Sequence, residues 1–300
     1  MNRRYGTLTT LRMTNQLHVR ITDRDLEILE AIDRCPLTVQ QLLKLSQIFS
    51  QPFTSDSRVR GRLARLREAG WLQRFQYAST MRGGAPDYYR LTRQGFQLLH
   101  GEDAKPPTKR AFSEIGIAKH HHTRCLSEFI VHTIVSAHRM QFPIAEFARE
   151  NALRLKIGDE SLFPDCSFCI RLAEQEFRFF VELDNGTERV RSRKDADSWE
   201  RKIRLYEQYQ DRSASRFRVL VVSTRSRVRN RHIAEAAKSL ANNPQRSLLY
   251  ITHLDDYLAK SCALTDACFE DHHGRRVVMV PDPILPFSDQ RTFATMSTAC

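Results

Sequence analysis

The chain has 300 residues, 41% hydrophobic and 27% charged, with a formal net charge of +12. That length allows two domains with cores of their own, and the composition excludes a disordered or fibrous chain. No apolar run nears the ~20 residues that span a bilayer, and no signal-peptide stretch opens the chain, so a cytoplasmic protein without a membrane partner is expected. The seven cysteines, an odd number, are scattered, which argues for reduced thiols. Residues 1–110 carry 19 Lys+Arg against 10 Asp+Glu, while the remainder carries 28 against 25. The basic excess of the first third points to a polyanion partner, most simply nucleic acid.

In chain order, Thr22 is placed to cap a first helix with Leu26, Ile28, Leu29 and Ile32 as its apolar stripe, ending before Pro36. Thr38 caps a second, with Leu42, Leu43 and Leu45. A third starts near Ser55 or Asp56 and ends at Gly70, a glycine suited to a C-cap. On it Val59, Leu63 and Leu66 repeat at helical spacing toward a core, while Arg58, Arg60, Arg62 and Arg65 supply cations for DNA phosphates and base edges. Residues 71–77 and 87–91 read as a strand pair around the flexible tip MRGGAP, which carries Arg82, and Thr92 caps a return to helix. Three helices, REAGWL, a hairpin and YYRLTRQG together resemble bacterial winged helix-turn-helix regulators, which implies DNA binding through the third helix and the hairpin.

The expected division is a winged helix at 20–100, a linker at 101–112 marked by Pro106 and Pro107, an α/β domain at 113–260 and an irregular tail at 261–300. The second part opens on a helix over about 117–138. Its face bearing His121, Cys125, Glu128 and His132 suits a solvated or interface stripe better than a metal site, and the run His120, His121, His122 is expected to be exposed. Strands are predicted near 163–170, 177–184, 217–223 and 247–252, with helices near 194–209 and 232–240, giving a mixed sheet. Cys166 and Cys169 fall on opposite faces of a strand, and with no second CxxC they do not form a zinc motif. The basic run at 225–231 is expected on the surface.

Asp165 opens one strand, while Glu182 and Asp184, two apart, share a face near the end of the next. If the strands pair as a hairpin, the three carboxylates can converge, and three hard oxygens suit Mg²⁺, an ion able to activate water against a phosphodiester. The plainer alternative is a turn at Pro164-Asp165 and an acidic strand end at Glu182-Leu183-Asp184. The PD and ExD spacing between helices resembles the PD-(D/E)xK nuclease superfamily. That resemblance implies catalytic Asp165, Glu182 and Asp184 with a lysine two residues after the second acid. Asp184 stands there instead, and Lys202 on the next helix is the candidate to replace it.

The winged helix followed by FPD, FVELDNGTE and WERKIRLYEQY is similar to the bacterial replication-relaxation family of plasmid-associated proteins. The match implies DNA binding tied to plasmid replication, copy control or transcriptional regulation, with the nuclease-like domain serving binding, homodimer assembly or partner contact. The alternative is a Mg²⁺-dependent endonuclease or nickase targeted by the winged helix. The expected partner under both is double-stranded DNA.

Overall fold

The computed structural model describes residues 20–78, 84–106, 108, 110–192 and 198–281. In the first part, α1 (Asp23–Arg34) begins at Thr22, whose backbone N–H and hydroxyl both donate to Asp25 Oδ2 at 2.7 Å. A two-residue strand β1 (Leu37–Thr38) leads into α2 (Val39–Leu45). Here the predicted cap is formed reciprocally: Gln41 N–H donates to Thr38 Oγ1 at 3.2 Å, and Thr38 N–H to Gln41 Oε1 at 2.9 Å. The arginine-rich helix α3 (Asp56–Glu68) buries Val59, Leu63 and Leu66 as its spacing predicts. It ends at Gly70, whose φ of 78° lies in the left-handed region that favours glycine.

Strands β2 (Leu72–Gln76) and β3 (Asp87–Leu91) pair antiparallel, and β1 adds to β3 to make a three-stranded sheet. Helix α4 (Arg93–His100) follows its Thr92 cap, which accepts from Gly95 N–H at 3.0 Å. Gly95 is required by space: a Cβ there would stand 2.2 Å from the Trp71 carbonyl oxygen. The hairpin tip with Arg82 lies outside the described residues.

The second part begins with α5 (His120–Arg139), followed by β4 (Ile144–Ala148) and the small hairpin β5 (Leu155–Ile157) and β6 (Glu160–Leu162). Next come β7 (Cys166–Leu172), β8 (Gln175–Asp184), α6 (Trp199–Arg212), β9 (Phe217–Ser223) and α7 (Arg227–Leu240). The chain continues through β10 (Leu249–His253), α8 (Leu254–Leu258), β11 (Phe269–Asp271) and β12 (Arg276–Val277). Seven strands form one mixed sheet in the order β12-β11-β10-β9-β8-β7-β4. The β8–β9 and β9–β10 pairs are parallel and the others antiparallel. Helices α6 and α7 pack on the face that presents Phe180, Val219 and Val221, and α5 and α8 on the face that presents Val181, Leu183 and Leu220.

Several expectations need correction. The tail expected from residue 261 is folded as far as Pro281: β11 and β12 extend the sheet, and Leu264, Phe269 and Val280 are fully buried. The basic run at 225–231 opens α7, five residues ahead of the predicted start. The segment expected to be a linker is held down, with the Phe112 ring centroid 5.6 Å from that of Phe96 and its carbonyl accepting from Gln73 at 3.1 Å. One buried apolar cluster runs from Ile28 and Leu42 through Leu126 and Phe129 to Leu220, so both parts share a core. Among the described residues no helix is long and apolar enough to cross a membrane.

Candidate functional site

Two surfaces carry the chemistry. On α3, the buried stripe of Val59, Leu63 and Leu66 turns Arg58, Arg60, Arg65 and Arg67 toward solvent. None of these four side chains has a hydrogen bond or ion pair among the described residues. Arg62 is different. Its guanidinium pairs with Asp25, a carboxylate with no exposed surface, so it is committed to holding α3 on α1. Burial pushes the Asp25 carboxyl up, but the bonds from Arg62 and Thr22 outweigh it and hold it below the ordinary aspartate value.

The second surface lies at the carboxyl end of β8. Alternation along this strand puts Phe180, Glu182 and Asp184 on the α6 side, and the parallel register sets Glu182 beside Val221 and Asp184 beside Ser223. Glu182 is buried. Its Oε1 accepts from the Tyr206 hydroxyl at 2.6 Å and its Oε2 from Lys202 Nζ at 2.8 Å. Lys202 also reaches Glu188 Oε1 at 2.8 Å. Burial pulls the Lys202 ammonium down, yet the two glutamates more than compensate and hold it well above the ordinary lysine value. Burial pushes the Glu182 carboxyl up, and Lys202 and Tyr206 oppose that shift.

Asp184 is buried as well, and both its oxygens are occupied. The Arg229 guanidinium pairs with them, and Trp199 Nε1–H donates to Oδ1 at 3.0 Å. Asp165 stands just ahead of β7, where its Oδ2 accepts Leu183 N–H at 2.7 Å and its Oδ1 lies 3.1 Å from His122 Nε2. Burial opposes protonation of His122, but Asp165 raises its pKa above the ordinary imidazole value.

Of the residues singled out from sequence, Lys202 is brought onto Glu182, while Asp184 is turned to a different partner. Three carboxylates around one Mg²⁺ would need free oxygens converging on a point. Asp184 has none free, and the three do not form a compact group of ligand atoms. The set therefore does not fit Mg²⁺ as arranged, and no hydrolytic step follows from it.

Sequence reasoning missed Arg229, taken as part of an exposed basic run, and His122, taken as exposed. The helical phase of α7 gives a partial signal for Arg229, since Ile233 and Ala236 define its buried side. His120 is likewise buried, accepting Ala78 N–H at 2.7 Å and meeting the Ile115 carbonyl at 2.8 Å. The face with His121, Cys125, Glu128 and His132 is an interface: Gln41 donates to Glu128 at 3.0 Å, Lys44 meets His132 at 3.2 Å and Thr224 meets His121 at 3.2 Å.

No curated protein and no solved structure matches the chain. The replication-relaxation family model matches residues 33–219, from the end of α1 into β9 and more than half of the chain. The chain belongs to the replication-relaxation family, which ties it to replication.

Proposed function

We propose that this protein binds double-stranded DNA through α3 in plasmid replication, its copy control or the associated transcription, with α2 and α3 as a helix-turn-helix and β2–β3 as its wing. The observation that carries this reading is the exposed quartet Arg58, Arg60, Arg65 and Arg67, left without acidic partners on a helix whose other side is core. Most buried or half-buried arginines elsewhere are matched: Arg62 by Asp25, Arg149 by Asp33, Arg229 by Asp184 and Arg246 by Glu207. Arg58 with Arg65 and Arg60 with Arg67 flank the core stripe on its two sides, and unmatched guanidinium groups along a helix are what phosphates and guanine edges recruit. The sheet-bearing half, which resembles PD-(D/E)xK nucleases, then serves binding or homodimer assembly, because its acids are engaged by internal cations.

Electrophoretic mobility of duplex DNA with wild type and with an Arg58→Ala, Arg60→Ala, Arg65→Ala triple variant tests the reading. Binding by wild type and its loss by tenfold or more in the folded variant is expected, and equal binding by both would refute it. A second reading, a Mg²⁺-dependent endonuclease delivered by the same helix, draws on the placement of Lys202 against Glu182. Supercoiled plasmid incubated with the protein and Mg²⁺ or Mn²⁺ separates the two. Intact plasmid supports the binding role, and nicking that vanishes in Glu182→Ala supports the nuclease.

A further inference from the structure

Beside the Glu182–Lys202 pair lies a group of ligand-bearing side chains that uses Asp165 in a different company. His122 sits in the first turn of α5, Glu150 follows β4 and Asp165 precedes β7. One ligand atom from each lies within 4.8 Å of the other two, and all three residues are part-buried. No other trio of His, Cys, Asp or Glu among the described residues meets that spacing. The carboxylates alone are commonplace, but a nitrogen donor completing the group from a separate helix is informative.

His122 Nε2 and Asp165 Oδ1 are 3.1 Å apart. Two ligands about 2.1 Å from an ion lie about 3.0 Å apart at right angles and about 3.4 Å apart at the tetrahedral angle, so this pair already stands near the separation of one edge of a coordination polyhedron. The bond from Leu183 N–H to Asp165 Oδ2 fixes the carboxylate and leaves Oδ1 as the oxygen offered. Glu150 has a distant lysine, Lys119, at 3.9 Å. That separation is too long to hold the carboxylate against an ion.

We propose that His122, Glu150 and Asp165 bind a divalent first-row transition ion of the Zn²⁺ class, which ties the start of α5 to β4 and β7. The imidazole nitrogen favours such an ion over Mg²⁺ or Ca²⁺, which prefer all-oxygen shells. Three protein ligands leave a position open to water. The site does not depend on the exposed arginines of α3, so DNA binding and metal binding succeed or fail separately. It also gives Asp165 a role apart from Asp184, which stays with Arg229.

The test uses the full chain freed of metal, titrated with Zn²⁺ alone by calorimetry and with Co²⁺ followed by its visible absorption. One equivalent per chain is expected, with affinity falling at least tenfold in His122→Ala and in Glu150→Gln and unchanged in His121→Ala. Glu150 lies in a turn, so its variant keeps the test meaningful if His122→Ala unfolds. Absence of binding would overturn the site, leaving His122 and Asp165 as an ion pair only. Binding undiminished in Glu150→Gln, or lost equally in His121→Ala, would also overturn it by moving the ion elsewhere, and competition by millimolar Mg²⁺ would contradict the assigned class.

Discussion

Arg58 and Arg62 sit one helical turn apart on α3 and look alike in sequence, yet they have opposite fates. Arg58 faces solvent, whereas Arg62 neutralises the buried Asp25. Helical spacing showed that both avoid the apolar stripe, but the decision between them was made by an acid on α1 that no local pattern reveals. The same holds for the acids of β8. Their shared face followed from strand alternation, while the Arg229 that claims Asp184 lies 45 residues downstream. Removing one member of a buried pair strands the other, at a cost of about 3–5 kcal/mol. Arg62→Ala is therefore expected to destabilise the fold by about that amount, against under about 0.5 kcal/mol for the exposed Arg58→Ala. The lowered native pKa of Asp25 adds a pH signature. Its contribution to stability is complete above the ordinary aspartate range, about 3.9, and is lost as pH falls through the lower native value. Urea unfolding across pH 2 to 7 checks this: wild type should lose this contribution on acidification and Arg62→Ala should lack it. Equal acid profiles would contradict the assignment.

At the scale of elements, legibility followed the strength of local signals. The Thr38 and Thr92 caps were readable because threonine followed by an apolar period states where a helix begins, and β3 and β9 fall where their apolar composition puts them. The strands β11 and β12, three and two residues long, are too short for any period to show, so the segment passed for an irregular tail. Their worth lies in burial. Phe269 has no exposed surface and packs its ring 5.6 Å from that of Tyr257. Phe269→Ala should cost about 3–5 kcal/mol in urea unfolding, as a cavity in a main core does; a drop below about 1 kcal/mol would return the segment to the periphery. Gly95→Ala tests the turn into α4. Its new methyl group would strike the Trp71 carbonyl, a backbone atom with little room to yield, so a destabilisation of at least about 1–3 kcal/mol is expected. Unchanged stability would mean that α4 sits farther from Trp71.

Across the whole molecule, the largest departure from the sequence reading is the junction. Pro106 does lie in a break in secondary structure, but composition alone cannot say whether a segment spans solvent or lies against a surface. Here Ser127 donates to the Pro36 carbonyl at 2.7 Å, Gln41 to Glu128, and Ala78 to His120, and the apolar core continues beneath these bonds. Such an arrangement holds α3 at a set angle to the seven-stranded sheet. A shared core also predicts one calorimetric transition, with van't Hoff and calorimetric enthalpies in agreement, and two resolved transitions would contradict it.

The central claim, that the exposed arginines of α3 are the DNA-binding surface, is tested most directly by the salt dependence of duplex binding. A plot of log affinity against log salt should be linear for wild type, with a slope that reports the phosphates neutralised. In the Arg58→Ala, Arg60→Ala, Arg65→Ala variant the slope should shrink by roughly one for each phosphate that no longer meets a guanidinium, up to about three, while the unfolding midpoint stays in place. An unchanged slope in a folded triple variant would contradict the account and place the DNA-binding surface elsewhere on the molecule.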